Sequence, residues 1–100
     1  MTRRSPGVVL YRLGDPTAPD SFWATDSDYP AYVHPESDAP LWTAVLPRSA
    51  KIQRVAHISG TTLADAKRCG RDGVSCPCWD FEGDEYVVFR PEILVGVRRA

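Results

Sequence analysis

Hydrophobic and polar positions alternate along this chain in short bursts, with no long helical stripe. Val8 to Leu13 (VVLYRL) is a β-branched and aromatic run between Pro6-Gly7 and Gly14-Asp15-Pro16, and it predicts a first strand. Gly14 to Asp20 carries a glycine, two prolines and two aspartates and reads as a loop. Phe22-Trp23-Ala24 is a short apolar run. Thr25-Asp26-Ser27-Asp28 then offers N-cap oxygens to a short helix over Tyr29 to His34, where Pro30 is tolerated in the first turn. Leu41 to Leu46 (LWTAVL) alternates as a strand. Lys51 to Ile58 (KIQRVAHI) sets Ile52, Arg54, Ala56 and Ile58 against Gln53, Val55 and His57, a weaker strand pattern. Thr62 to Arg68 predicts a second helix, begun by a cap-competent threonine and stopped by Gly70. Asp72-Gly73 turns into a strand starting at Val74 to Cys76, and Glu82-Gly83-Asp84 turns into Glu85 to Arg90 (EYVVFR), the most strand-like segment present. Pro91-Glu92 breaks that run before Ile93 to Val97. The pattern predicts an α+β domain of about six short strands and two short helices, its sheet mostly antiparallel or mixed.

Composition narrows the class. One hundred residues with 43% hydrophobic and 25% charged positions suit one globular domain over 1–100 without an internal linker. Twelve Lys and Arg against thirteen Asp and Glu give a net charge of −1, which excludes binding nucleic acid by bulk charge alone. Arg3, Arg4, Arg98 and Arg99 form a local basic patch only if the two ends meet. No apolar run approaches the roughly 18 residues of a membrane span. The opening Met-Thr-Arg-Arg-Ser-Pro is followed by Val8 to Tyr11, which Arg12 interrupts, so no secretory h-region is expected and a cytoplasmic location is.

Cysteine usage agrees. Cys69, Cys76 and Cys78 are odd in number and spaced C-x6-C-x-C, neither a disulfide framework nor a C-x2-C zinc knuckle. They read as small residues at the ends of a strand and its loop, the alternative being a metal site completed by His57. A Cys76–Cys78 disulfide would be strained by the pleat. Phosphate-cradling loops, H-E-x-x-H and G-x-S-x-G are all missing. His34 and His57 lack a Cys or Ser partner at a recognised spacing and read as surface or half-buried histidines. The pattern assigns Trp79 no role.

Three segments carry more information together than apart. Tyr11-Arg12 stands near the end of the first strand. Phe22-Trp23-Ala24-Thr25 leads into a helix bearing Tyr29 and Tyr32. Glu85 opens the strand Glu85-Tyr86-Val87-Val88-Phe89-Arg90, followed by Pro91-Glu92-Ile93. This order resembles the ADP-ribosyltransferase family over about Val9 to Val97. The resemblance implies a small split β-sheet and a minimal-length, toxin-like mono-ADP-ribosyltransferase that uses NAD as substrate and a protein or nucleic acid as acceptor. It assigns Glu85, Arg12 and Thr25 as catalytic, and Tyr11, Arg12, Trp23, Thr25 and Tyr32 as the NAD-binding set. Ser27 would be the second hydroxyl of the motif begun by Thr25. No metal is implied.

The residue types suit the chemistry. Cleaving the nicotinamide–ribose bond builds positive charge on the ribose, as in glycoside hydrolysis. A fixed carboxylate such as Glu85 stabilises that charge more in the transition state than in the ground state. Arg12 offers the planar fork suited to a pyrophosphate. Trp23 or Tyr32 would stack on nicotinamide. Members that modify arginine carry Glu or Gln two residues before the catalytic Glu, and here that position is Gly83. The alternative is an inactive binding module of phage or bacterial type that keeps the fold and occupies a partner.

Overall fold

The computed structural model describes residues 7–78 and 81–100. Arg3, Arg4 and Trp79 therefore lie outside the described residues. The elements run β1 (Gly7–Leu13), β2 (Ser21–Ala24), α1 (Tyr29–Val33), β3 (Leu41–Pro47), β4 (Ile52–Arg54), α2 (Gly60–Arg68), β5 (Gly73–Pro77), β6 (Asp84–Val88), a 3₁₀ turn (Pro91–Ile93) and β7 (Val95–Arg99). The α+β expectation holds, with seven strands in one sheet rather than six.

Local chemistry explains most boundaries. Ser59, not a threonine, caps α2: its hydroxyl accepts from the Thr62 amide while the Thr62 hydroxyl accepts from the Ser59 amide, which starts the helix two residues earlier than expected. Pro91 closes the turn in which Leu94 N–H reaches the Pro91 carbonyl, and this delays the last strand from Ile93 to Val95. The expected strand over Lys51 to Ile58 shortens to β4. The chain follows β5 only as far as the bond from Val55 N–H to the Ser75 carbonyl, then departs for the crossover helix. Among the described residues no helix is long and apolar enough to cross a membrane.

The strand order is β4-β5-β6-β2-β1-β3-β7. β4 and β5 are parallel, joined through α2, and every other pair is antiparallel. β1 pairs with β3 through seven registered positions but with β2 only at Tyr11↔Ala24. The sheet thus narrows to one bridge between its halves.

Side chains alternate across the pleat, so registered partners share a face. One face buries Leu10, Trp23, Ala44, Leu46, Tyr86, Val88 and Leu94. The other packs Val74, Val87 and Phe89 against Ala66 of α2, and Ala24 and Cys78 against Tyr29 of α1. Both helices therefore cover the same face, and the candidate site lies there.

Candidate functional site

Glu85 is the second residue of β6. Its register partners are Ala24 on β2 and Cys76 on β5, so all three side chains project from the helix-covered face. Ala24 is fully buried and too small to block its neighbours, which lets Tyr29 reach across β2 from α1. The Tyr29 hydroxyl donates to Glu85 Oε1. From the other side, the Cys76 thiol donates to Glu85 Oε2 at 3.6 Å. Glu85 itself is half-buried.

These neighbours hold their protons. Burial, and then the hydrogen bond and charge of Glu85, push the Tyr29 phenol well above its ordinary value. Burial and the same carboxylate raise the Cys76 thiol. Burial first, with the charges of Glu85 and Asp84 behind it, pushes the Cys78 thiol up to about 11. At neutral pH both cysteines are thiols and poor nucleophiles.

Aromatic rings pack around Tyr29, the residue that reaches the carboxylate. Tyr29 and Tyr32, three residues apart on α1, lie near-parallel with centroids 6.1 Å apart. Phe81 meets Tyr29 edge-on at 5.1 Å and Tyr32 at 4.8 Å. Phe22 completes the group at 6.1 Å from Tyr29. Tyr32 is 54% exposed and presents the accessible edge of the cluster. An exposed ring face and a carboxylate each favour a flat, positively charged partner, through the ring quadrupole and the charge.

The residues singled out by sequence fall into three groups. Glu85, Tyr32 and Tyr11 are on the helix-covered side, Tyr11 standing in the same cross-strand row as Ala24 and Glu85. Thr25 acts one step back: its amide donates to the Asp84 carbonyl and its Oγ1 accepts from the Asp84 amide at 2.9 Å, which clamps the start of β6. Ser27 is exposed in the loop before α1.

Arg12 follows Tyr11 and so projects from the opposite face. Its Nε donates to the Asp15 carbonyl at 2.8 Å and its Nη1 to the Phe22 carbonyl at 3.2 Å. Desolvation lowers its pKa, with the charge of Asp15 opposing. Its guanidinium fastens the weak seam between β1 and β2 and does not meet Glu85.

Trp23 corrects the expectation of a stacking platform. It is 0% exposed, sits in the core of the other face, and donates its indole N–H to Ser21 Oγ at 2.7 Å. The alternation that exposes the Glu85 row to α1 sends Trp23 inward. Sequence reasoning placed Cys76 at a strand end or in a metal site rather than beside Glu85, gave Phe81 no role, and gave Tyr29 only a place on a helix. Cys76 becomes visible only once β5 is paired with β6. Phe81 carried no signal beyond being an aromatic next to a turn.

Depressions of about 340 and 330 Å³, the first between Val8, Leu46, Arg48 and Tyr86 and the second between Pro16, Thr17, Pro91 and Val97, are lined by none of the residues around Glu85. A third, of about 260 Å³, opens beside Cys78 between Ala56, His57 and Pro77. His34 and His57 are exposed. Cys69 is exposed at the end of α2, while Cys76 and Cys78 are buried, and all three are free thiols. Among the described residues no three His, Cys, Asp or Glu side chains gather to hold a metal ion.

The strand order and this doubly held carboxylate define a small α+β domain with a candidate acidic centre. Compared with known proteins, the sequence matches no protein family and no curated protein, and the fold matches no solved structure.

Proposed function

We propose that this protein is a small NAD-dependent ADP-ribosyltransferase that passes ADP-ribose to a protein or nucleic-acid acceptor. The observation that carries this reading is the Glu85 carboxylate, held at the head of β6 by Tyr29 and Cys76, with the rings of Tyr32 and Phe81 packed on Tyr29. β1, β2 and β6 are adjacent strands, and Tyr11, Ala24 just before Thr25, and Glu85 stand in one row across them, which supports a site on that face with Arg12 behind it.

In this reading the exposed Tyr32 ring receives the cationic nicotinamide by stacking. The nicotinamide–ribose bond breaks with its electron pair going to the ring, which leaves as neutral nicotinamide. Positive charge develops on the ribose, and Glu85 accepts the ribose 2-hydroxyl proton in a hydrogen bond that strengthens as that charge grows. An acceptor nucleophile then bonds to the anomeric carbon and gives its proton to solvent water. Thr25 contributes by fixing the start of β6, and Arg12 by joining β1 to β2.

The test is nicotinamide release from NAD by the purified protein. Glu85→Gln is expected to slow it by about 100- to 1000-fold, the usual cost of removing one transition-state electrostatic partner, with the domain still folded by circular dichroism. Equal rates in wild type and variant would reject Glu85.

A second reading, a partner-binding module without activity, is favoured by one feature: both Glu85 oxygens already accept a donor from the domain. No nicotinamide release, no NAD binding by calorimetry and a stable complex in pull-down would support it.

A further inference from the structure

We infer that Tyr29 and Cys76 are positioning residues that bracket the Glu85 carboxylate, one oxygen each, and so set the direction in which its remaining lone pairs point. The inference rests on Glu85 being the acidic group of the proposed reaction.

The bracket follows from register. Cys76, Glu85 and Ala24 lie in one row across β5, β6 and β2. The Cys76 thiol reaches Glu85 along that row from one side. On the other side Ala24 leaves a gap, and Tyr29 descends through it from α1. Both donors are nearly sealed from water, Tyr29 being 6% and Cys76 5% exposed. A carboxylate has about four lone-pair sites on two oxygens, so one donor per oxygen leaves one site on each for a substrate hydroxyl. The two donors are unequal. A phenol hydroxyl on a carboxylate is a short, charge-assisted bond, whereas a thiol is a weak donor. Tyr29 therefore does most of the holding and Cys76 limits rotation.

Neither residue is in a position that the reaction itself requires. The Tyr29 hydroxyl is turned to Glu85, while its ring packs between Phe22, Tyr32 and Phe81. Tyr29→Phe keeps that ring and deletes only the donor. The separation of roles is then readable: loss of orientation acts on kcat, whereas loss of the stacking surface acts on KM.

Two measurements on the full chain decide the matter. In steady-state nicotinamide release, Tyr29→Phe is expected to lower kcat by roughly 10- to 100-fold, the scale of a misplaced reacting group, with KM for NAD unchanged. Cys76→Ala is expected to lower kcat less, in the same direction. Wild-type kcat in Tyr29→Phe overturns the inference. In proton NMR, the buried Tyr29 hydroxyl is expected to give a slowly exchanging signal downfield of the amides. That signal should vanish in Tyr29→Phe, shift in Glu85→Gln and persist in Cys76→Ala. A signal identical in wild type and Glu85→Gln also overturns the bracket.

The NMR arm does not depend on turnover. If the wild type releases no nicotinamide, the enzymatic reading falls, and the hydroxyl signal alone still decides whether Tyr29 holds Glu85. If Tyr29→Phe fails to fold, Cys76→Ala still reads kcat and Glu85→Gln still reads the hydroxyl signal; a wild-type kcat in the first or an unshifted signal in the second overturns the inference.

Discussion

At the scale of single residues, Gly83 shows how a turn shapes the site. Its φ is +103°, a conformation that L side chains rarely adopt, and a Cβ there would run into the Thr25 hydroxyl. That hydroxyl is engaged with the Asp84 amide, one residue before Glu85. An acidic side chain two positions ahead of Glu85, as arginine-modifying members of the resembled family carry, has no room here. Gly83→Ala is accordingly expected to destabilise the fold by about 1–3 kcal/mol, from backbone strain and the displaced threonine, measured by urea unfolding. Unchanged stability would show that the turn relaxes freely.

Among the elements, the place where the start of β4, the start of β5 and the end of β6 meet is held by one acid. Asp72 takes the Lys51 amide on Oδ2 and the Arg90 guanidinium on Oδ1, while its own amide donates to the Lys51 carbonyl and its carbonyl accepts the Phe89 amide. Those bonds, the Lys51 amide foremost and Arg90 next, hold its carboxyl below the ordinary 3.8. A group whose folded pKa is depressed stabilises fully above its unfolded value and loses that contribution as pH falls through the folded one. Stability from Asp72 should therefore be complete at neutral pH and fade below about pH 4. Asp72→Asn is expected to cost about 2 kcal/mol at pH 7, typical of hydrogen bonds to a charged group, and to flatten the acid limb of a stability-versus-pH curve. An acid limb identical to wild type would assign it to other carboxylates. The stops of these elements were legible in sequence, since Gly70 and Pro91 are local signals, whereas the caps were not: Ser59 rather than a threonine starts α2, and Asp28 at the start of α1 makes no side-chain cap bond. The bounds of β4 and β7 were less legible: β4 stops where β5 no longer runs beside it, and β7 waits on the turn that Pro91 begins.

For the molecule as a whole, the two faces of the sheet divide the aromatic residues by task. Trp23 fills the core of one face and Tyr32 edges the site on the other. Trp23→Ala is expected to remove about 3–5 kcal/mol, a large part of the 5–15 kcal/mol that holds a typical domain together. Tyr32→Ala should cost less, about 1 kcal/mol from its contacts with Tyr29 and Phe81, and, on the proposed reading, weaken NAD binding. Chemical denaturation beside calorimetry separates the two; a stable Trp23→Ala that merely loses NAD would return that indole to the site.

The same division separates what sequence alone determined from what needed the tertiary structure. Alternation along each run, with glycine and proline between runs, determined that this is an α+β chain of short strands and placed Glu85 at the head of one. Period two tells which residues of a strand share a side; it does not tell which side meets a helix or which strand lies next door. That choice depends on pairings between remote segments, such as Tyr29 with Glu85 across 56 positions. Only those pairings put Arg12 and Trp23 behind the sheet and gathered Tyr29, Cys76 and Phe81 around the acid.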